Sequence, residues 1–436
     1  MPTRRVAPLL LSIGTLVLSV GGRVGGQPVD QLEQARRYVR EAQFICEQDG
    51  GALWGTSLCG PLLLVNTSSR EIFANEQDAQ HLLQKQGDVF VGKLSQEINV
   101  ANTAMEWAGT KWSMVMLPLP ADPQQRKTLL AHELWHRIQD QLGLPISGDS
   151  NEHLDTRDGR YWLQLEWRAL TAALGTSGPQ EKRAITDAGV FRARRHKIFP
   201  ADAEQERSME MHEGLAEYTG VRLSGSPDLR QFVIRHNVQD AASRQTFVRS
   251  FAYATGPAYG VLLDSTGNDW RKELKPGVDL ANLLLKRRHI VLPDNIDVVA
   301  NNRAEVYDGA TLAEFEDRRE AERIAQQKDF RARFADGAVL EIPLQKMNMQ
   351  FDPGTPVPVD KMGTIYPAIR IVDAWGVLDV KERGALLSND FHKVTISAPR
   401  ETRGAKVNGE GWTLDLNAGW RVAVGDRYGS YIVEHQ

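Results

Sequence analysis

Residues 129–142 read Leu129-Leu130-Ala131-His132-Glu133-Leu134-Trp135-His136-Arg137-Ile138-Gln139-Asp140-Gln141-Leu142. Leu130, Leu134 and Ile138 recur every four residues, which predicts one helix with an apolar stripe facing a core. His132 and His136 are four apart, so they lie one turn apart on a different face. Two neutral imidazoles at that spacing can bind the same zinc ion. Glu133 sits near the metal but off the ligand line, where a general base must be to take a proton from an attacking water. The bland alternative is a solvated helix with two incidental histidines. Only ten His occur in the chain, however, and the motif falls on the amphipathic helix that it needs.

A zinc ion held by two His needs a third protein ligand and an open position. Glu210-Met211-His212-Glu213-Gly214-Leu215-Ala216-Glu217-Tyr218 lies in a helical stretch downstream. Glu213 and Glu217 are four apart and point the same way. One can ligate zinc while the other accepts the ring N–H of a ligand His and fixes its tautomer. Gly214 lets another backbone come close. The same stretch also reads as a salt-bridged surface helix. Glu166 is the rival third ligand. It follows His136 by thirty residues, on an apolar helix where an unpaired carboxylate is costly. His212 adjoins Glu213 and points elsewhere on a helix, which makes it a structural or cleft residue.

Together, His132-Glu-Leu-Trp-His136 and Glu213-Gly-Leu-Ala resemble the gluzincin metallopeptidases, in particular the Glu-Gly-Phe-Ala segment of the aminopeptidase N family. The resemblance implies a zincin-type catalytic region with Glu213 as the third zinc ligand and Glu217 beside a ligand His. Tyr253-Ala-Thr-Gly256, with Asp264 eight positions after the glycine, is similar to that family's Tyr-x-x-Gly segment. By that match Tyr253 stabilises the tetrahedral oxyanion. Two departures stand out. In the family the Glu follows the second His closely, whereas 77 residues separate Glu213 from His136 here. Thr103-Ala-Met105-Glu106-Trp107 is only a faint echo of the Gly-x-Met-Glu-Asn segment that binds a substrate amine. The resemblance covers roughly residues 100 to 290.

The 436 residues are 42% hydrophobic and 25% charged, an ordinary globular composition whose length suggests two or three domains. A net charge of −4 gives no electrostatic case for nucleic acid or an anionic membrane. Arg4 and Arg5 precede an apolar run from Ala7 to Val20 and a glycine-rich stretch to Gly26. Residues 1–26 look like a secretory signal peptide. The alternative is a retained anchor, for which the run is short. The expectation is a secreted or periplasmic protein without stable membrane insertion. Cys46 and Cys59 are the only cysteines. In an oxidising compartment a bridge between them is expected, worth roughly 3 kcal/mol in the chain-entropy model. With so few thiols, any metal must be held by His and carboxylate.

Along the chain, residues 30–45 predict a helix and 61–74 a hairpin turning at Asn66 to Ser69. Val89 to Gly92 and Lys111 to Pro120 predict strands. The second of these is a natural edge for holding an extended substrate, or simply a sheet strand. Asp122-Pro123 is a start signal for the metal helix. Helices are expected over 160–174, 181–195, 203–223, 256–263 and 280–286. Thr311-Leu-Ala-Glu314 reads as a capping box opening a charge-rich helix with a solvated face, to about Phe334. Beyond Asp336-Gly337 the apolar period becomes two, with turn signals at Asp352-Pro-Gly, Asn408-Gly, Asn417-Ala-Gly and Gly425-Asp.

The expected fold is α+β: a mainly helical zincin-type region over 27–298, with a small N-terminal sheet up to about 120. A connector helix over 299–335 and a C-terminal antiparallel β domain over 336–436 follow. The expected function is an exported zinc metallopeptidase acting on a peptide or protein. Glu133 and Tyr253 would be catalytic, and His132, His136 and Glu213 would hold the metal. The alternatives are a non-catalytic binding protein on this scaffold, which has no use for Glu133, or a zinc hydrolase acting on a non-peptide bond.

Overall fold

The computed structural model describes residues 31–144, 151–352, 355–359 and 362–435. The expected signal segment 1–26 and the turn tip at Pro353 and Gly354 lie outside the described residues. The architecture is α+β.

Helix α1 (Gln31–Asp49) buries Tyr38, Ala42, Ile45 and Cys46. At its end the Asp49 carboxylate accepts from the N–H groups of Gly51 and Leu53, and Cys46 is bonded to Cys59. A six-stranded sheet follows: β1 (Leu62–Asn66), β2 (Glu71–Ala74), β3 (Gln84–Gln86), β4 (Val89–Lys93), β5 (Thr103–Trp107) and β6 (Thr110–Leu117). Their spatial order is β3-β4-β2-β1-β6-β5, with β1 and β6 parallel. Alternate residues face two cores. Leu62, Leu64 and Val115 join the main helical core, while Leu63, Val65, Trp112 and Met114 pack on the other face. The strand expected to offer its edge, β6, is internal, and β5 is the edge. β5, which no apolar alternation announces, is partly buried except at the exposed Glu106.

The helical part comprises α2 (Pro123–Ile138), α3 (Arg157–Leu174), α4 (Gly178–Ile198), α5 (Ala203–Met209), a π-helical turn at Glu210–Gly214, and α6 (Leu215–Leu223). It continues through α7 (Leu229–Val233), α8 (Gln239–Ala242), α9 (Ala252–Asp264), α10 (Leu280–Arg287), α11 (Ile296–Ala304) and α12 (Gly309–Arg331). Asp122 caps α2 by accepting from the Gln125 N–H, and Pro123 takes the first position. The helix stops at Ile138, and Gln139–Leu142 tighten into a 3-10 turn ended by Gly143 at φ 66°. Helix α12 corrects the expected capping box. It begins at Gly309, and the Thr311 hydroxyl donates to the Asp308 carboxylate at 2.7 Å. Its charged face is not wholly solvated either, since Glu316 is fully buried and accepts from Gln164.

Among the described residues, twelve strands make the C-terminal region: β7 (Val339–Pro343), β8 (Asn348–Gln350), β9 (Val357–Val359), β10 (Gly363–Tyr366), β11 (Ile369–Asp373), β12 (Gly376–Val380), β13 (Ala385–Leu387), β14 (Lys393–Ser397), β15 (Lys406–Gly409), β16 (Trp412–Leu416), β17 (Trp420–Val424) and β18 (Ser430–His435). They form sheets ordered β17-β18-β7-β14-β13-β10-β9 and β15-β16-β12-β11-β8. Pairing is antiparallel except where the last strand, β18, returns parallel to β7. Residues of both sheets, including Ile342, Ile396, Ile371 and Leu414, share one core. Phe330 at the end of α12 and Phe334 in the π-helical turn after it (Ala332–Asp336) pack with Val359 and Ile365 beneath the larger sheet.

Glu166 on α3 belongs to a buried ion network, not to the candidate metal centre. It accepts from Arg195 at 2.6 Å, Arg192 at 3.2 Å and the Tyr259 hydroxyl at 2.5 Å. Arg192 also reaches Glu210 and Asp279, and Arg195 reaches Glu206. The network ties α3, α4, α5 and α9 to the π turn. Glu166→Ala leaves two buried guanidinium groups undercompensated and should cost about 3–5 kcal/mol in urea unfolding.

Candidate metal centre

Two close backbone contacts bring the site together. A Cβ on Gly220 of α6 would lie 2.4 Å from the Thr128 carbonyl oxygen of α2. One turn further along α2 stands His132, and one turn back along α6 stands Glu217. Gly214 and Gly256 make the second contact, where a Cβ on Gly256 would lie 2.2 Å from the Gly214 Cα. That contact sets α9, with Tyr253 on its first turn, against the π turn carrying Glu213.

The Nε2 atoms of His132 and His136 face each other at 3.0 Å. Glu213 Oε2 lies 3.5 Å from the first and 3.7 Å from the second. Ligands about 2.0–2.1 Å from a tetrahedral zinc are about 3.3 Å apart, so the three atoms are spaced as such a site requires. The outer ring nitrogens are engaged. Nδ1 of His132 is 3.0 Å from Glu217 Oε2, and Nδ1 of His136 is 3.2 Å from Gln139 Oε1. Acceptors at both Nδ1 atoms favour the tautomer whose Nε2 lone pair points to the centre.

Glu133 is buried beside the pair, and its Oε2 has no hydrogen-bond partner. Burial raises its carboxyl above the usual range, against the pull of both imidazoles. Glu213 is also buried, but the hydrogen bonds and charge of the facing imidazoles outweigh burial and hold it well below that range. For His132 burial favours the neutral ring, yet Glu213 and Glu217 overcome it and raise its pKa well above normal. Carboxylates thus gather here, with Arg249 touching Glu213 Oε1 at 3.1 Å. An orphaned acidic oxygen, two oriented imidazoles and a third ligand of suitable charge fit a divalent cation with nitrogen and oxygen ligands.

The Tyr253 ring stacks on that of His132, with centroids 5.6 Å apart, and its hydroxyl donates to Glu213 Oε2 at 2.6 Å. Burial, then the Glu213 charge, push the phenol well above its ordinary range. Pro257, four residues on, has no N–H to offer the Tyr253 carbonyl. Asn237 Nδ2 donates to that carbonyl at 3.0 Å and to Glu217 Oε1 at 2.8 Å. Asn237 therefore connects the Tyr253 backbone to the carboxylate that holds His132.

A cleft of about 900 Å³ opens over these groups. Thr103 and Ala104 of the β5 edge line one side, and Ile369, Arg370 and Val380 of the C-terminal sheets line another. His212 lines the cleft too, with Nδ1 2.8 Å from Gln139 Oε1, and burial depresses it to about 4. Glu106 is exposed and contributes nothing to the lining.

Sequence reasoning missed Gln139, Asn237, Arg249 and the C-terminal wall. Gln139 was findable, because it stands three residues after His136 on the same helix face. The others come from distant segments and leave no local signal. Compared with protein-family models, curated proteins and solved structures, the chain matches none. Gly256→Ala should force α9 away from the π turn. We expect a loss of about 1–3 kcal/mol in thermal unfolding.

Proposed function

We propose that the chain is an exported zinc metallopeptidase whose metal ligands are His132, His136 and Glu213. The observation that carries this reading is the convergence of their three ligand atoms beside the unpartnered Glu133 carboxylate on the floor of a cleft. Zinc, when bound, supplies Lewis-acid polarisation of the carbonyl and lowers the pKa of the attacking water towards about 7.

Glu133 takes the water's proton and delivers it to the leaving amine. Glu217 and Gln139 hold the two imidazoles in orientation from their Nδ1 sides. Tyr253 donates its hydroxyl to the developing oxyanion, leaving its resting partner Glu213. An extended peptide pairs along the β5 edge, whose first residues line the cleft. Export is supported by the Cys46–Cys59 bridge, which persists in oxidising compartments. Among the described residues no helix is long and apolar enough to cross a membrane.

Elemental analysis of protein purified without added metal should find one zinc per chain. Glu133→Ala should keep that zinc and lose hydrolysis of a mixed peptide library by at least about 10²–10⁴-fold. A metal-free protein that gains no activity with added zinc would overturn the reading.

Tyr253→Phe should retain zinc and lower kcat by about 10²–10³ with little change in substrate affinity. Tyr218 and Tyr259 serve as controls, since their hydroxyls are bound to Asp264 and Glu166 away from the cleft. Loss of turnover in Tyr218→Phe or Tyr259→Phe, with Tyr253→Phe near wild type, would move the oxyanion role.

A further inference from the structure

The π turn at Glu210–Gly214 brings two neighbouring side chains to the same cleft. In a regular α-helix consecutive residues point about 100° apart. Here the Leu215 N–H reaches back five residues to the Glu210 carbonyl, and His212 and Glu213 both line the cavity over the metal centre. A single widened turn of this kind is frequent at functional sites. Glu213 is accounted for by the candidate metal centre. His212 is not, since the group of converging ligand atoms does not include it.

The surroundings of His212 decide which ring nitrogen it offers. On the metallopeptidase reading, His136 gives Nε2 to the metal, so the hydrogen of its neutral ring is on Nδ1. That nitrogen is 3.2 Å from Gln139 Oε1, which fixes the amide with its oxygen on this side. The same oxygen is 2.8 Å from Nδ1 of His212. An oxygen accepts only from a donor, so Nδ1 of His212 also carries its hydrogen, and the lone pair of the neutral ring is on Nε2. Nε2 is 3.7 Å from Glu213 Oε1, beyond hydrogen-bond reach, and that oxygen accepts from Arg249. Gln139 is buried while the His212 side chain is 15% exposed, so the ring edge open to the cleft is the one carrying Nε2.

A peptide that enters the cleft gives up water at its backbone N–H groups, and each one left without an acceptor costs free energy. His212 offers such an acceptor beside the centre, its ring 4.7 Å from that of His136. Resting on the peptidase reading above, we propose that His212 is a substrate-binding residue whose Nε2 accepts from a backbone N–H of the bound peptide, with Gln139 holding it in that tautomer. One oxygen of Gln139 thus orients a metal ligand and a substrate contact together. The substrate class narrows to chains that keep this N–H, because a site built to bond an N–H rejects the analogue lacking it.

The experiment crosses two variants with an ester scan. His212→Asn keeps an amide N–H for Gln139 at the place of Nδ1 and has no atom at the place of Nε2. His212→Gln puts an amide oxygen near the place of Nε2 and gives up the contact with Gln139. A short unstructured peptide cut once by the zinc-loaded full chain is remade with each backbone N–H in turn, save that of the scissile bond, replaced by an ester oxygen. At least one replacement should lower the wild-type kcat/KM by about tenfold. The same replacement should cost His212→Asn less than about threefold, while His212→Gln keeps most of the wild-type cost. A reading without substitution at 212 comes from Glu133→Ala labelled with ¹⁵N-histidine, which does not consume the peptide. Its His212 Nε2 resonance should shift on adding the parent peptide and stay in place on adding that ester.

The reverse order, with the cost kept in His212→Asn and lost in His212→Gln, would assign His212 to bracing Gln139 and overturn the proposal. A scan in which no replacement costs the wild type more than about threefold, or a resonance that ignores the parent peptide, would overturn it too. These outcomes leave the peptidase reading standing. A zinc-loaded protein that cleaves neither this peptide nor a mixed peptide library overturns that reading, and this inference with it.

Discussion

The contact on which the site depends is the near touch of α6 and α2 at Gly220, where any side chain would collide with the Thr128 carbonyl oxygen. Helices carrying larger residues at their crossing stand about 8–10 Å apart between axes. Closer approach lets short carboxylate side chains on one helix reach imidazoles on the other. Glu217 then meets His132 and, through the π turn, Glu213 faces both rings. Gly214 against Gly256 repeats the device one layer further and brings in Tyr253. The centre is thus assembled by removing side chains at crossings as much as by supplying ligands.

Charge decides which acidic residues belong to the centre. Glu166 and Glu213 are both buried on helices, and sequence alone allowed either as a third ligand. In the structure Glu166 is met by two guanidinium groups and a phenol, so its charge is balanced in place. Glu213 has one guanidinium contact among the described residues, on Oε1, while Oε2 faces the rings of His132 and His136. An acid already satisfied by arginines is a structural element, whereas an acid that directs an oxygen at two imidazoles is a candidate ligand. The two also communicate. Glu210, which anchors the π turn in the Arg192 network, is three residues before Glu213, so the buried ion pairs help fix where the candidate ligand points.

What could be read from the sequence was what is local. The i,i+4 spacing of His132 with His136, and of Glu213 with Glu217, puts each pair on one helix face, and the structure brings all four together. Gly214 was legible as a close approach because only glycine permits one. The α+β layout and the change to period two near residue 337 follow from hydrophobic alternation. The π turn was not legible, since a single widened turn leaves no periodic trace. Nor was β5, mostly half-buried with Glu106 exposed, or the end of α2 at Ile138. Arg249, Asn237 and Arg370 act across many intervening residues, and their partners are fixed by packing that no single-sequence spacing encodes. Glu316 shows the same limit from the other side: in a charge-rich helix nothing marks one acid as buried until Arg160 is found beside it.

Electrostatics also explains why the cleft lies where it does. Glu133 and Glu213 are buried and Glu217 is half-buried, yet among the described residues the one guanidinium touching this group is that of Arg249. The Arg192 and Arg195 network, by contrast, sets its acids directly against two guanidinium groups inside the core. Burying a carboxylate without such a partner is costly, and a fold retains the arrangement only if something at that place offsets it. At Glu213 the hydrogen bonds and charge of the two imidazoles supply that offset, while the Glu133 Oε2 has no hydrogen-bond partner. The excess of negative charge, the unpartnered Glu133 oxygen and the opening of the cleft coincide at one point.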